Sequence, residues 1–448
     1  MPKIRVLPPE TARLIAAGEV IDRPAAVLRE FLDNALDSGA SEIAVEIAGG
    51  GAELVRVVDD GCGMGREDLE LAALPHATSK IAAADDLLTA RSLGFRGEAL
   101  ASIAAAARLE ITSRDAESGS AFRLVAGPGL GLSVQAVPGR RGSSAEASRL
   151  FENFPARKQF LKRAQAESAI CRQIFVDKAL AHPSVGFRYS SEGRLGLILP
   201  PASPEERVLA CYAEPPRDLV YRVRFSGEGF EGSVVLAGPA FYRNDRRLMQ
   251  VFINRRRIQD GGLLQALDYA FSGFLPGGAH PCAFLFAEVD PALADFNIHP
   301  AKREVRFKDP DGLRRSFVRA TQGFLGELAR REPDKARPSL EAAPELAPWA
   351  ASGRDTPGIA EHEREGAEAP GALDYAGAET GFGGGPRQGA GGGQKACLGA
   401  SWDDLAAFRE RAAPLPRPEP APGAPRYLGK ALGLFLVVEA EGALYLID

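Results

Sequence analysis

Between residues 24 and 38 apolar positions recur at helical spacing, through Leu28, Phe31, Leu32, Ala35 and Leu36. Pro24 stands near the start of that run and Gly39 just past its end, which is where a helix favours them. Taken together, residues 11–38 predict two helices. The period then shortens: Ile43, Val45 and Ile47 alternate with polar or small residues, Gly49, Gly50 and Gly51 supply a turn, and Leu54 to Val58 resumes an apolar run. That pattern predicts a β-hairpin whose second strand closes on Asp59.

After a short helix, residues 75–97 are rich in small and polar side chains until Glu98 opens an alanine-rich helix to about Ala107. Strand-like runs follow at Leu109 to Thr112, Phe122 to Val125 and Leu132 to Val137, and a helix is predicted from Ala164 to Leu180. Helices on one face of a mixed sheet is the architecture that buries such a series. Beyond the proline-bearing stretch 199–206, strands near 232–237, 250–253 and 283–289 predict a second α/β unit, which places the boundary between units 1–204 and 205–331.

From 332 to 425 the periodicity collapses into runs such as GFGGGPRQGAGGGQ and APLPRPEPAPGAP. Such sequences bury too little surface to offset chain entropy and predict a disordered, flexible linker. Residues 426–448 return to two strand-like runs around a turn at 439–442 with no evident partner strands, so a further domain is expected to begin there and to be cut short.

Length and charge refine this picture. At 448 residues about three structural units are expected. The five cysteines, Cys62, Cys171, Cys211, Cys282 and Cys397, show no C-x-x-C spacing, which argues against a disulfide framework or a zinc knuckle and fits a reducing cytoplasm. Neither a signal-peptide plan nor an apolar run of the ~18 residues a membrane span needs is visible, so no membrane association is expected. Residues 331–448 carry 12 Lys and Arg against 18 Asp and Glu, which leaves 42 against 41 in the rest. Within that balanced body, residues 241–260 hold six arginines against Asp245 and Asp260. That stretch is either a phosphate-binding patch or a solvated strand pair.

Glu30, Asn34 and Asp37 lie at i, i+4 and i+7 of the first long helix and share a face, with Asp33 adjacent. Alone, this is a solvated polar stripe. Asp59, however, sets a carboxylate acceptor beside the turn Asp60-Gly61-Cys62-Gly63-Met64-Gly65, where backbone can approach a flat ligand closely. The run Gly94-Phe95-Arg96-Gly97-Glu98-Ala99-Leu100 puts glycines and an arginine at a helix N-terminus, whose N–H groups and dipole favour phosphate oxygens. Neither a P-loop nor a dinucleotide fingerprint is present, so a nucleotide site here needs another fold.

That order of motifs resembles the GHKL (Bergerat-type) ATPases, the group of gyrase B, heat-shock chaperones, sensor histidine kinases and MutL. The segments LPPETARLIAAGEVIDRPAAVLREFLDNALDSGA, DDGCGM, PHATSKI, LGFRGEALASI and NIHPAKREVRF resemble MutL signatures in the MutL order and span residues 6–307. The resemblance implies an α+β fold: a GHKL ATPase α/β sandwich followed by a ribosomal S5 domain 2-like α/β domain. It implies that Glu30 is the general base for the attacking water, that Asn34 holds Mg²⁺, and that Asp59 accepts from the adenine amino group. Residues 76–97 would be the ATP lid, with Gly63, Thr78, Ser79, Lys80, Gly94, Phe95, Arg96, Gly97, Glu98, Ala99, Leu100 and Ser143 around the nucleotide. Lys302 would reach the γ-phosphate from the second unit.

One departure concerns Gly142 to Ala147, where the family usually shows a strand rich in β-branched residues and this chain has Gly-Ser-Ser-Ala-Glu-Ala, a poor strand by propensity. The implied function is mismatch repair, with slow ATP hydrolysis switching N-terminal homodimerisation, DNA clamping and recruitment of a MutS-type mismatch-recognition protein and downstream enzymes. DNA contact would be phosphate-dominated, through Arg246, Arg247, Arg255, Arg256 and Arg257. No metal-dependent nicking is expected of this polypeptide.

Overall fold

The computed structural model describes residues 21–78, 97–296, 305–332, 426–431, 435–440 and 443–447. The expected helix within 11–20, the segment 79–96, the loop with Lys302 and the linker 333–425 lie outside these residues.

The chain opens with helix α1 (Pro24–Asp37) and the hairpin β1 (Glu42–Ala48) and β2 (Leu54–Asp59). Pro24 occupies the first turn of α1, and Gly39 follows its end with φ 74°. Next come α2 (Arg66–Ala72), α3 (Ala99–Ala106), β3 (Arg108–Arg114), β4 (Ala121–Gly127), β5 (Leu130–Val137) and β6 (Gly142–Ser148). After α4 (Pro155–Phe160) and α5 (Ala164–Ala181), β7 (Gly186–Ser191) and β8 (Arg194–Leu199) complete an eight-stranded sheet of order β5-β4-β3-β6-β2-β1-β7-β8. All its pairings are antiparallel except β1 with β7. Alternate residues of β1 are buried, and Val27, Leu28, Phe31 and Leu32 of α1 join Phe175 and Leu180 of α5 in the core they cover.

Helix α6 (Pro204–Cys211) begins with a capping box between Ser203 and Glu206. It leads to β9 (Val220–Gly227), β10 (Phe230–Ala237), β11 (Tyr242–Arg243), β12 (Met249–Ile253), β13 (Arg256–Ile258), α7 (Gly261–Tyr269), β14 (His280–Pro281) and β15 (Ala283–Val289). Five of these strands form a second sheet of order β13-β12-β15-β10-β9. The short pair β16 (Ala294–Asp295) and β17 (Arg306–Phe307) precedes α8 (Pro310–Arg331), whose Phe317 and Leu325 pack under that sheet. The first core runs on through Val235, Phe252 and Phe284 of the second sheet, so both sheets belong to one compact unit.

In the other unit β18 (Arg426–Ala431), β19 (Phe435–Ala440) and β20 (Ala443–Ile447) pair antiparallel in that order. The sequence pattern predicts two strand-like runs without partners there. Three strands form there and pair with one another, β18 with β19 and β19 with β20.

The stretch 142–147 is the other revision. Despite its weak propensity it is a strand, held between β2 and β3 along its whole length. Ladder partners on both sides override intrinsic preference, and small side chains suit a crowded central position.

Candidate nucleotide site

The site is assembled where the C-terminus of α1 meets the end of β2. The Ser38 amide donates to the Asn34 carbonyl at 3.0 Å, the Ser38 hydroxyl donates to the Ala35 carbonyl at 2.8 Å, and Cys62 N–H donates to the Ser38 carbonyl at 3.0 Å. The turn after β2 is thereby fastened to the helix that carries Glu30 and Asn34. Both side chains are half-buried, as is Asp37, and each has a polar or electrostatic neighbour. Asp33 differs from its neighbours on the stripe: it is buried and ion-paired with Lys178 of α5.

The Asp59 carboxylate accepts from Gly61 N–H at 2.9 Å, and it lies 3.3 Å from the Ser38 hydroxyl, whose single proton it shares with the nearer Ala35 carbonyl. Burial nevertheless dominates over these bonds and pushes its pKa up to about 6. A desolvated carboxylate at a strand end gains from a further donor such as an exocyclic amine. Asp60 plays a structural part instead. It accepts from the Ser41 hydroxyl and from the backbone N–H groups of Ser41 and Glu42, the latter two at 2.8 and 2.9 Å, which pins the start of β1 and, against the effect of burial, lowers its own pKa.

Two glycines are fixed by backbone packing. Gly63, at φ 73°, would place a Cβ 2.0 Å from the Arg114 carbonyl oxygen; Gly142, at φ 103°, would place one 2.1 Å from that of Asp59. Ser143 pairs with Asp59 across β2 and β6, and its hydroxyl lies 2.9 Å from that of Ser113, which accepts from Met64 N–H at 2.8 Å. Asp59, Gly63 and Ser143 are thus brought together.

Gly97 (φ 62°) sits so close to Ala77 that a Cβ would meet its carbonyl oxygen at 2.6 Å, and His76 Nδ1 lies 3.3 Å from a Glu98 oxygen. Thr78 is half-buried there with a polar or electrostatic neighbour, and Ala99 and Leu100 open α3. Ser79, Lys80, Gly94, Phe95, Arg96 and Lys302 lie outside the described residues.

The arginine cluster of 241–260 is largely engaged with acids. Arg243 is buried between Glu214 and Asp245; Arg246 pairs with Asp268 at 3.3 Å, Arg255 with Glu288 at 3.2 Å and Arg257 with Asp177 at 2.7 Å. Arg256 stacks over the Phe296 ring at 5.2 Å. Arg246, Arg247 and Arg255 are exposed. Among the described residues no group of three His, Cys, Asp or Glu could hold a metal ion, and no helix is long and apolar enough to cross a membrane.

Ser38 and Ser113 are site residues that the sequence pattern does not single out. Ser38 has a signal, since it continues the i+4 series from Glu30 and Asn34; Ser113, inside an ordinary strand, has none.

A helix bearing an E-x-x-x-N face, tied by its end to an aspartate and a glycine turn over a mixed sheet, defines an ATPase domain of the GHKL class. The family described as histidine kinase-, DNA gyrase B-, and HSP90-like ATPase matches residues 23–125, and that described as DNA mismatch repair protein, C-terminal domain, matches 212–326. The chain is 42% identical over 360 residues to the DNA mismatch repair protein MutL of Treponema pallidum, covering 76% of this chain and 58% of that one. The MutL of Acidiphilium cryptum is 38% identical over 381 residues, which cover 82% of this chain and 64% of that one. A crystal structure of the N-terminal domain of a DNA repair protein superposes with a TM-score of 0.59 at 21% identity, over 72% of this chain and 98% of its own, a likeness of fold. Over the stretch it shares with these relatives, the chain belongs to the MutL family of DNA mismatch repair proteins. It spans somewhat more than half the length of the curated relatives it matches.

Proposed function

We propose that the chain is an ATP-driven switch in mismatch repair, in which Mg²⁺-dependent binding and slow hydrolysis of ATP control N-terminal homodimerisation, engagement of DNA, and recruitment of a MutS-type protein and downstream repair enzymes. Residues 1–204 would be the ATPase domain, 205–331 a transducer carrying Lys302, 332–425 a tether by composition, and 426–448 a separate three-stranded segment. The observation that carries this reading is the tie through Ser38, which sets the Asn34 turn of α1 beside the Asp59 carboxylate.

In this reading Asp59 orients the adenine amino group, with Gly63 leaving room for the base and Ser143 a hydroxyl donor alongside. Thr78, Gly97, Glu98, Ala99 and Leu100 belong to the phosphate side with the segment 79–96, and Lys302 reaches the γ-phosphate from the transducer. Glu30 takes the proton of the attacking water. Mg²⁺ supplies neutralisation of phosphate charge; a hard cation shared with phosphate and water oxygens needs one protein oxygen, which the Asn34 amide provides without a carboxylate cage. DNA would be held by phosphate contacts, among which Arg246, Arg247 and Arg255 are the exposed candidates, while Arg256 and Arg257 sit deeper.

The test is steady-state ATP hydrolysis by the wild type and Glu30→Ala, with nucleotide binding followed separately. Loss of turnover with binding retained supports the reading; equal turnover sinks it.

A further inference from the structure

Asp177 and Lys178 are consecutive on α5 and reach in different directions. Lys178 forms an ion pair with Asp33 of α1, the two side chains being 13% and 10% exposed. Asp177 receives the Arg257 Nη1 donor from β13 at 2.7 and 2.9 Å to its two oxygens, and the Gln173 amide at 2.7 Å on one of them. The pairs therefore join the helix of Glu30 and Asn34 to the second sheet through a single rigid helix.

We propose that Asp33–Lys178 and Asp177–Arg257 form an ionic linkage that transmits nucleotide-driven movement of α1 to the second sheet. Asp33, Lys178, Asp177 and Arg257 are then positioning residues that touch neither the base nor the phosphates of the nucleotide. The inference rests on the reading of α1 as the helix facing the nucleotide.

Breaking either pair leaves a shielded charge without its counter-ion, so each resists separation more strongly than a surface bridge. Other charges face the same junction. Arg256 is near enough to Asp33 and Asp37 for both to oppose the lowering of its pKa by burial, and His182, at the end of α5, is held neutral by burial with its pKa pushed down to about 3. A shift of α1 would thus alter the field at Lys178 and Arg256 together, while α5 moves as one body between its two anchors.

The test is hydrogen exchange of residues 249–258 in the full chain, with and without a non-hydrolysable ATP analogue, alongside a fluorescence titration of analogue binding. In the wild type the analogue should slow exchange there by about tenfold. Asp177→Ala and Lys178→Met should still bind the analogue but lose that slowing, and the charge-exchanged pair Asp177→Arg with Arg257→Asp should regain it. Slowing that persists in both single variants overturns the linkage, as does a wild type that binds the analogue without slowing. A wild type that fails to bind the analogue overturns the site reading first, which the titration shows separately, and the linkage falls with it.

Discussion

Asp59 and Ser143 face each other across the pairing of β2 with β6, and the Ser143 backbone N–H helps to hold the Asp59 carboxylate in its ionised form. That bond, with those from Gly61 and Ser38, opposes a burial that lifts the carboxyl to about 6 from an ordinary value of 3.8. The folded protein without nucleotide therefore holds this proton more tightly than the unfolded chain, and Asp59's contribution to stability declines as pH rises from about 4 to about 6. A bound donor acts in the opposite direction, because it favours the carboxylate.

Nucleotide affinity is accordingly expected to weaken as pH is lowered through about 6, with the weakening traced to Asp59. Titration with a fluorescent ATP analogue between pH 5 and 8 should show this slope in the wild type and its absence in Asp59→Asn, which should also bind more weakly at pH 8.

Glu30→Ala should lower kcat by about 10² to 10⁴ with a smaller change in KM, the signature of a lost general base. Phosphate release under saturating ATP measures it. A larger change in KM than in kcat would point instead to a binding role.

The Gly142 backbone is locked by its φ of 103° and by the Asp59 carbonyl 2.1 Å from where a Cβ would stand. Gly142→Ala should cost about 1–3 kcal/mol of stability and displace Ser143. A lower Tm together with weaker nucleotide binding is the expected pair of results, and an unchanged Tm would contradict the packing argument.

The helix and the turn that frame the candidate site were legible in the sequence, because Pro24, Gly39, the apolar periodicity between them and the glycine turn act over short chain distances. Strand β6 was not. Its Ser-Ser-Ala-Glu-Ala side chains carry no strand preference, and what makes it a strand is the pair of ladders from β2 and β3, which no local window contains. The arginine run was only half legible: its six positive charges left a phosphate-binding patch and a solvated strand pair both open, whereas Glu214, Asp177, Asp268 and Glu288, remote in sequence, arrive to pair with four of them. Nor did composition disclose Arg207, fully buried on α6.

The two N–H groups of Arg207 Nη2 are shared among the carbonyls of Pro183, Val185 and Pro200, at 2.9, 2.7 and 2.8 Å, and stitch the ends of β7 and β8 to α6. Arg207→Met should destabilise the protein by about 2–5 kcal/mol, since the three carbonyls would keep their burial and lose their donor. Thermal unfolding checks this, and a loss under ~1 kcal/mol would show that water replaces the guanidinium.

For DNA, Arg246→Glu and Arg247→Glu should each weaken binding regardless of sequence and reduce the dependence of log K on log salt by about one phosphate contact. Filter binding at several salt concentrations tests it; an unchanged slope would move the contact elsewhere.

The cysteines give the nucleotide loop a chemical address. Burial pushes the thiols of Cys171 and Cys211 up to about 12 and that of Cys282 higher, which leaves them protonated and shielded, whereas Cys62 stands exposed between Gly61 and Gly63. Among the described residues a thiol-directed dye should therefore mark the loop beside Asp59, and the speed of its reaction becomes a readout of whether a base is seated there.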